Sequence, residues 1–236
     1  MTDALNILSG GAAHGLVASL APRFKAQTGL EIAGEFGAVG AMADKLREGQ
    51  PTDLVLLTAT LLAKLAEEKL VVPASIRDVG LVETALAVRT GDPKISALDK
   101  AGLRDALLAA DAIFLPDTKA STAGLHIASF LHQLGIANDV AARLKICPNG
   151  ATAMAQLAAS DARRPIGCTQ ATEIITIRGV ELSGSLPRGC DLATMYTVGI
   201  AMAAANAKAA WRLSDLLTSA ESEDLRHRAG FLSAAR

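Results

Sequence analysis

Hydrophobic and polar positions near the N-terminus predict a strand, a turn and a helix in succession. Leu5-Asn6-Ile7-Leu8 alternates as a short strand does, and Ser9-Gly10-Gly11-Ala12 interrupts it. From Ala13 the apolar residues recur at helical spacing, and Gly29 is a stop signal. A turn of this kind leaves unpaired N–H groups at the helix start, together with the positive end of the peptide dipoles. The stretch therefore predicts a place where an anion or a strongly polar ligand binds.

The same alternation of strands and helices continues along the chain. Further strands are predicted at 30–36, 53–57, 81–89, 112–115, 166–169, 180–182 and 194–204, and further helices at 39–46, 61–69, 98–110, 123–134, 140–144, 151–159, 207–219 and 223–229. The first six elements alternate strictly, which implies a parallel sheet with right-handed crossovers.

Strand ends meet small or polar helix starts at five turns. These turns are residues 9–12, 37–40, 58–60, 121–124 and 169–172. Ligands of parallel α/β sheets bind outside the carboxyl ends of the strands. A single such turn is common to all α/β proteins, where glycine serves tight packing or a positive φ. The recurrence favours a binding cleft lined with N–H and hydroxyl donors.

Composition narrows the class of protein. Half of the 236 residues are hydrophobic and the formal net charge is −1, so we expect a folded protein without a nucleic-acid partner. The longest uncharged apolar run is shorter than the roughly 20 residues of a membrane helix. Three widely spaced cysteines, Cys147, Cys168 and Cys190, favour reduced, buried thiols. The chain has no metal-ligand spacing and no P-loop, which predicts no metal and no cofactor.

Residues 1–4 lead straight into the first strand. They carry no basic segment and no apolar segment of the kind found in signal peptides. The expectation is a cytoplasmic protein, or a mature domain whose signal peptide was removed. A partner of the ABC-importer type is doubtful without such a signal.

Several segments together resemble the periplasmic molybdate-binding proteins, which are type II substrate-binding proteins. The segments are SGGA, EFGAVGAMADKLREGQPTDLVLLTA, PDTKASTAG and PIGCTQATE, in that order. The resemblance implies an α/β, two-lobed type II periplasmic-binding-protein fold, in which each lobe is a mostly parallel sheet flanked by helices and two crossing strands form the hinge. Residues 1–83 with 195–236 would form the first lobe and residues 84–194 the second. A small anion would be bound in the cleft between them when the lobes close.

The resemblance also implies which residues bind the ligand. In the first lobe they are Ser9, Gly10, Gly11, Ala12, Gly37, Ala38, Val39 and Thr58; in the second they are Ser121, Thr122, Ala123, Gly124, Asn149, Gly150, Thr169 and Gln170. Molybdate binders present serine hydroxyls in the first two turns, where this chain has Ala12 and Ala38-Val39, and a tyrosine where it has Gln170. This difference predicts weak or absent molybdate binding. Thr118 and Lys119 add to a polar set that suits a larger ligand such as a carboxylate.

Two alternatives to a binding protein remain open. Some aconitate isomerases resemble the same class, so the chain could catalyse a proton shift in an unsaturated carboxylic acid. His14 would be the base, since a helix N-terminus favours the neutral imidazole. Lys119 would hold a carboxylate group of the substrate. Asp117 or Glu173 could also serve as the base. The other alternative is a sensor or storage domain without catalysis.

Overall fold

The computed structural model describes residues 4–95 and 97–233, which divide into two compact units. The first unit contains the described residues up to Val82 and those from Thr194 onward, and the second is Glu83–Ala193. Residues 1–3, on which the expected cellular location depends, lie outside the described residues, as do the outer limits of the predicted first lobe.

Strands and helices alternate along most of the described chain. In chain order they are β1 (Ala4–Gly10), α1 (His14–Thr28), β2 (Glu31–Gly37), α2 (Val39–Arg47), β3 (Leu54–Thr58), α3 (Ala59–Glu67), β4 (Arg77–Arg89), α4 (Lys100–Ala109), β5 (Ala112–Pro116), α5 (Thr122–Gln133), α6 (Ala137–Val140), β6 (Leu144–Cys147), α7 (Gly150–Ala158), β7 (Pro165–Gln170), α8 (Ala171–Ile175), β8 (Val180–Ser185), β9 (Ala193–Ile200), α9 (Ala207–Thr218) and α10 (Glu223–Arg228). The chain passes from the first unit to the second within β4 and returns at the start of β9.

Each unit has a sheet built around parallel strands; the sheet is mostly parallel in the first unit, as predicted, and mixed in the second. In the first unit, β1 lies between β2 and β3 and is parallel to both, while β9 runs antiparallel to β3. In the second unit, β5 is parallel to β6 and β7, and β4 runs antiparallel to β7 and β8. Parallel strands end at the same edge of a sheet. The turns after β1, β2 and β3 therefore share one edge, and those after β5, β6 and β7 share another.

Burial of the apolar residues explains why these elements form. All five residues of β3 are buried, as expected for a strand in the middle of a parallel sheet. Helix α1 buries Leu16, Leu20 and Phe24 on one face, and it ends at Gly29, whose φ of 74° is left-handed. The three cysteines are free and buried, as the sequence predicts.

The helix predicted at 140–144 begins too late and ends one residue too far. Helix α6 ends at Val140, a 3-10 turn covers Ala141–Arg143, and Leu144–Cys147 is strand β6. Among the described strands, β6 pairs with β5 alone, and Lys145 and Ile146 are exposed. Such an edge strand lacks the continuous apolar run that identifies a buried strand in the sequence.

The predicted strand at 194–204 is also too long. Strand β9 ends at Ile200, and the Ala204 N–H donates to the Ala201 carbonyl in a turn. The apolar run continues through this turn, so hydropathy alone does not mark the end of the strand. Across residues 4–95 and 97–233, every helix is too short or too polar to cross a bilayer.

Candidate functional site

In the first unit, Gly10 at the end of β1 lies against Val39 at the start of α2 and against the side chain of Tyr196 on β9. A Cβ atom placed on Gly10 would be 2.8 Å from Val39 Cγ1, 2.9 Å from the Tyr196 ring and 3.4 Å from the Tyr196 hydroxyl oxygen. Tyr196 is 1% exposed and lies opposite Thr58 in the β3–β9 pairing. The structure thus brings together three of the predicted residues, Gly10, Val39 and Thr58, because Gly10 has no side chain.

This part of the first unit offers backbone N–H groups more than hydroxyls. Ala38 precedes α2 and cannot cap it with its side chain, and no described residue accepts a hydrogen bond from the Val39 N–H. The Ser9 hydroxyl donates to the Gly10 carbonyl at 3.0 Å. Ala12 presents a buried methyl group in place of a hydroxyl. A ligand here would be bound chiefly by main-chain donors.

The remaining residues predicted in this unit lie in the same two turns. Gly11 and Ala12 belong to the 3-10 helix Gly11–Ala13, and Gly37 ends β2 opposite Gly10. His14 is the first residue of α1; it is exposed, and its ring centroid lies 4.6 Å from that of Phe36 at an interplanar angle of 60°. Phe36 therefore restrains one face of an imidazole that solvent and ligands can reach.

In the second unit, Asp117 organises the loop between β5 and α5. Its Oδ1 accepts hydrogen bonds from the N–H groups of Lys119 and Ala120, both at 2.7 Å. These two bonds hold the pKa of Asp117 below its usual range. A carboxylate so stabilised is a weak proton acceptor. Asp117 is therefore disfavoured as a base. The exposed Lys119 forms no ion pair within 4 Å among the described residues, and its positive charge also helps to lower the pKa of Asp117.

Helix α5 begins one residue earlier than predicted. Ser121 is its N-cap, and the Ser121 hydroxyl accepts a long hydrogen bond of 3.4 Å from the Gly124 N–H. No described residue accepts from the N–H groups of Thr122 and Ala123. Gly124 lies so close to the Asp117 carbonyl that any Cβ atom would overlap it. This close approach places the start of α5 against the end of β5.

A carboxyl group of the protein itself lies at the start of α7. The Thr169 hydroxyl donates to Glu173 Oε2 at 2.6 Å, and the N–H groups of Gly150, Ala151 and Gln170 also face this carboxyl group. Thr169 and Gly150, which the resemblance implies as ligand donors, both lie against the Glu173 carboxyl group. Asn149 caps the helix by accepting from the Thr152 N–H at 2.8 Å.

Glu173 is buried, and burial determines how it titrates. It is 6% exposed, and desolvation raises the pKa of its carboxyl group. The Thr169 hydroxyl and the three N–H groups act in the opposite direction, since they stabilise the charged form. The net effect favours the protonated acid more than in a solvated glutamate.

Buried hydroxyl groups lie beside Gln170 in the second unit. Thr84 pairs with Gln170 across β4 and β7, and Thr172 lies two residues after Gln170 in the sequence. The side-chain oxygens of Thr84 and Thr172 are buried and have no hydrogen-bond partner among the described residues. Buried polar atoms in folded proteins are normally satisfied. Both are therefore candidates for contact with a bound ligand or water.

Tyr196 and Thr84 are functional candidates that sequence reasoning missed, whereas Thr172 lies in the predicted turn 169–172. Tyr196 is the single tyrosine of the chain, which is a signal that could have been used. Thr84 sits inside an apolar strand and gives no comparable signal, because only its pairing with Gln170 places it near the predicted residues.

The second unit also has a cavity that none of the predicted residues lines. Its volume is about 580 Å³, and its walls include Val88, Ala106, Ala109 and Ile166. It lies at the opposite end of β7 from Gln170. Within residues 4–95 and 97–233, no three His, Cys, Asp or Glu side chains are grouped as metal ligands.

Comparisons with known proteins agree with this architecture. A family model described as bacterial extracellular solute-binding protein matches residues 5–232. The periplasmic molybdate-binding protein of Azotobacter vinelandii superposes with a TM-score of 0.81 at 18% identity, covering 98% of this chain and 100% of that one. The sulfate-binding protein SubI from Mycobacterium tuberculosis H37Rv gives 0.75 at 18% identity, covering 97% and 86%. The fold is that of the type II periplasmic binding proteins, and the prediction of this fold class is confirmed.

One characterised relative is similar in sequence. An aconitate isomerase from a Pseudomonas species is 25% identical over 223 residues, which is 91% of this chain and 82% of the relative.

Substitution of Gly150 tests the contact at the start of α7. A Cβ atom at this position would overlap the Glu173 carboxyl group and the Thr169 hydroxyl. We expect Gly150→Ala to lower the free energy of unfolding by about 1–3 kcal/mol in urea denaturation. Gly184→Ala is the matched control, since a Cβ atom on Gly184 meets nothing within 4 Å. Equal effects of the two substitutions would contradict the contact.

The raised pKa of Glu173 predicts a specific dependence of stability on pH. The folded state holds this proton more tightly than the unfolded state, so the stabilisation is complete at low pH and is lost as pH rises through the folded pKa. Glu173→Gln cannot ionise. The melting temperature of the wild type minus that of Glu173→Gln should therefore fall from about pH 4 to pH 8. A flat or rising difference in scanning calorimetry would exclude the assignment.

Proposed function

The chain belongs to the bacterial extracellular solute-binding protein family, and on that premise we propose that it binds a small carboxylate or oxyanion. One observation carries the proposal: helix starts in both units present N–H groups for which no described residue is the acceptor. They include Val39 at α2 and Thr122 and Ala123 at α5. Helix N-termini bind anions through such groups and through the peptide dipoles.

Side chains around these helix starts favour a carboxylate over molybdate. Ala12 and Ala38 supply no hydroxyl group. The carboxamide of Gln170 and the hydroxyl group of Thr84 instead suit a ligand that has polar groups besides its anionic one. Lys119 lies in the loop before α5, where its exposed ammonium group can attract a negative ligand. The names of the molybdate-binding and sulfate-binding neighbours agree with anion binding in general.

A second candidate function is isomerisation of an unsaturated carboxylic acid. The sequence similarity to the Pseudomonas aconitate isomerase favours it, as does the exposed His14 at the start of α1. The neutral imidazole would remove a proton from a carbon next to a carboxylate, and the double bond would shift as the proton is returned to the other end of the three-carbon unit. Main-chain donors would stabilise the negative charge that forms on the carboxylate during the transfer.

Binding of anions can be tested by thermal shift and calorimetry. We expect dicarboxylates and tricarboxylates to raise the melting temperature, because a ligand bound only by the folded state stabilises it. Lys119→Gln should weaken carboxylate binding by about threefold to tenfold. Lys145→Gln, which removes another exposed lysine of the second unit, should leave it unchanged. A large shift with molybdate and none with carboxylates would contradict the ligand class.

Catalysis can be separated from binding with trans-aconitate. Nuclear magnetic resonance in D2O would follow the appearance of cis-aconitate and of deuterium at carbon. If the protein is an isomerase, His14→Gln should lower kcat at least about a hundredfold. His132→Gln, a change of an exposed histidine on α5, is the control. Binding of trans-aconitate without turnover would exclude the enzyme and leave the binding protein.

A further inference from the structure

Glu173 belongs to the short helix α8, but its carboxyl group lies at the start of the longer helix α7. It is the third residue of α8, and its carboxyl group reaches the first residues of α7. Any Cβ atom on Gly150 would overlap this carboxyl group, so the space in front of α7 is filled. The group is also fixed in place, because the Thr169 hydroxyl donates to it at 2.6 Å and the site is buried.

This arrangement has the features of a bound anion. A carboxyl group lies against the first residue of a nine-residue helix, accepts a hydrogen bond from one hydroxyl group, and has no cationic partner among the described ion pairs. Free carboxylates and oxyanions bind helix N-termini in the same way. Here the carboxyl group in that position is part of the chain, and it is present whether or not a ligand is bound.

The start of α5 differs from the start of α7 in this respect. The Thr122 and Ala123 N–H groups have no acceptor among the described residues, and the cap is the single long bond from Gly124 to Ser121. Both helices follow parallel strands of the same sheet, so their starts lie along one edge. One helix start is therefore filled by the protein and the other is open.

We infer that Glu173 determines ligand selectivity by occupying the anion position of α7, so that in the second unit the anionic group of a ligand is bound at α5 only. The inference rests on the proposed anion-binding function. A compact oxyanion that needs donors from both helices is disfavoured, since Glu173 takes one set. A ligand with one carboxylate at α5 and a neutral polar group beside Gln170 is favoured.

The experiment removes the Glu173 carboxyl group by mutation and adds free anions that could bind in its place. Glu173→Ala frees the N–H groups of Gly150 and Ala151, and Glu181→Ala is the control from the same unit. Acetate and chloride at equal ionic strength would be compared by differential scanning fluorimetry. We expect acetate to raise the melting temperature of Glu173→Ala well above the effect of chloride, and to act on the wild type and the control no more than chloride does.

Selectivity is measured in the same proteins by calorimetry with sulfate and with succinate. The ratio of sulfate to succinate affinity should rise about tenfold or more in Glu173→Ala, because charge-assisted bonds from α7 become available to the oxyanion. A ratio within about threefold of the control would overturn the inference, even if acetate stabilises the variant. If Glu173→Ala does not fold, Glu173→Ser also vacates the position in front of α7; the same ratio is measured in it, a rise is again expected, and an unchanged ratio would overturn the inference.

The two proposals fail in different ways. A wild type that binds neither anion would overturn the proposed function, and a simultaneous gain of sulfate binding in Glu173→Ala would still support the role of Glu173. A wild type that binds succinate, together with a variant of unchanged selectivity, would overturn the role of Glu173 alone.

Discussion

The structure depends on one constraint, which is that backbone N–H groups at a helix start need acceptors from outside the helix. Parallel sheets bring several helix starts to one edge, so the constraint is concentrated there. The helix starts of this chain differ in whether such acceptors are present. Ser121 and Asn149 cap their helices with side-chain oxygens, whereas Ala38 leaves the Val39 N–H without an acceptor among the described residues. Under the proposed function, the N–H groups left without an acceptor are the ones that a ligand would meet.

Glu173 shows how a residue inside the fold can define the chemistry of a site. It satisfies the start of α7 at the expense of burying a carboxyl group, which raises the pKa of that group. The same contact forbids a side chain at Gly150. A cap of this kind stabilises the helix and removes donors from any ligand, so stability and selectivity come from one interaction.

Membership of the solute-binding family agrees with an anion site, and both binding without reaction and isomerisation of the bound acid are compatible with it. The fold of the molybdate-binding and sulfate-binding neighbours is shared, while Ala12 and Gln170 alter the donors that a ligand meets. Similarity to an aconitate isomerase adds an unsaturated tricarboxylate to the ligands worth testing. Because fold does not determine function, the distinction lies in side chains such as His14 and Lys119.

Local pattern determined most of the fold, whereas the tertiary structure decided the roles of the site residues. The buried run of β3, the periodic face of α1 and the glycine at its end are readable in the sequence because each depends on neighbours a few residues away. Edge strand β6 was not predicted, since its pairing with β5 spans some thirty residues of chain. The contacts of Glu173 with Gly150 and of Tyr196 with Gly10 were likewise invisible. They join segments that are distant in sequence, and only the packing of strands and helices determines which polar groups meet.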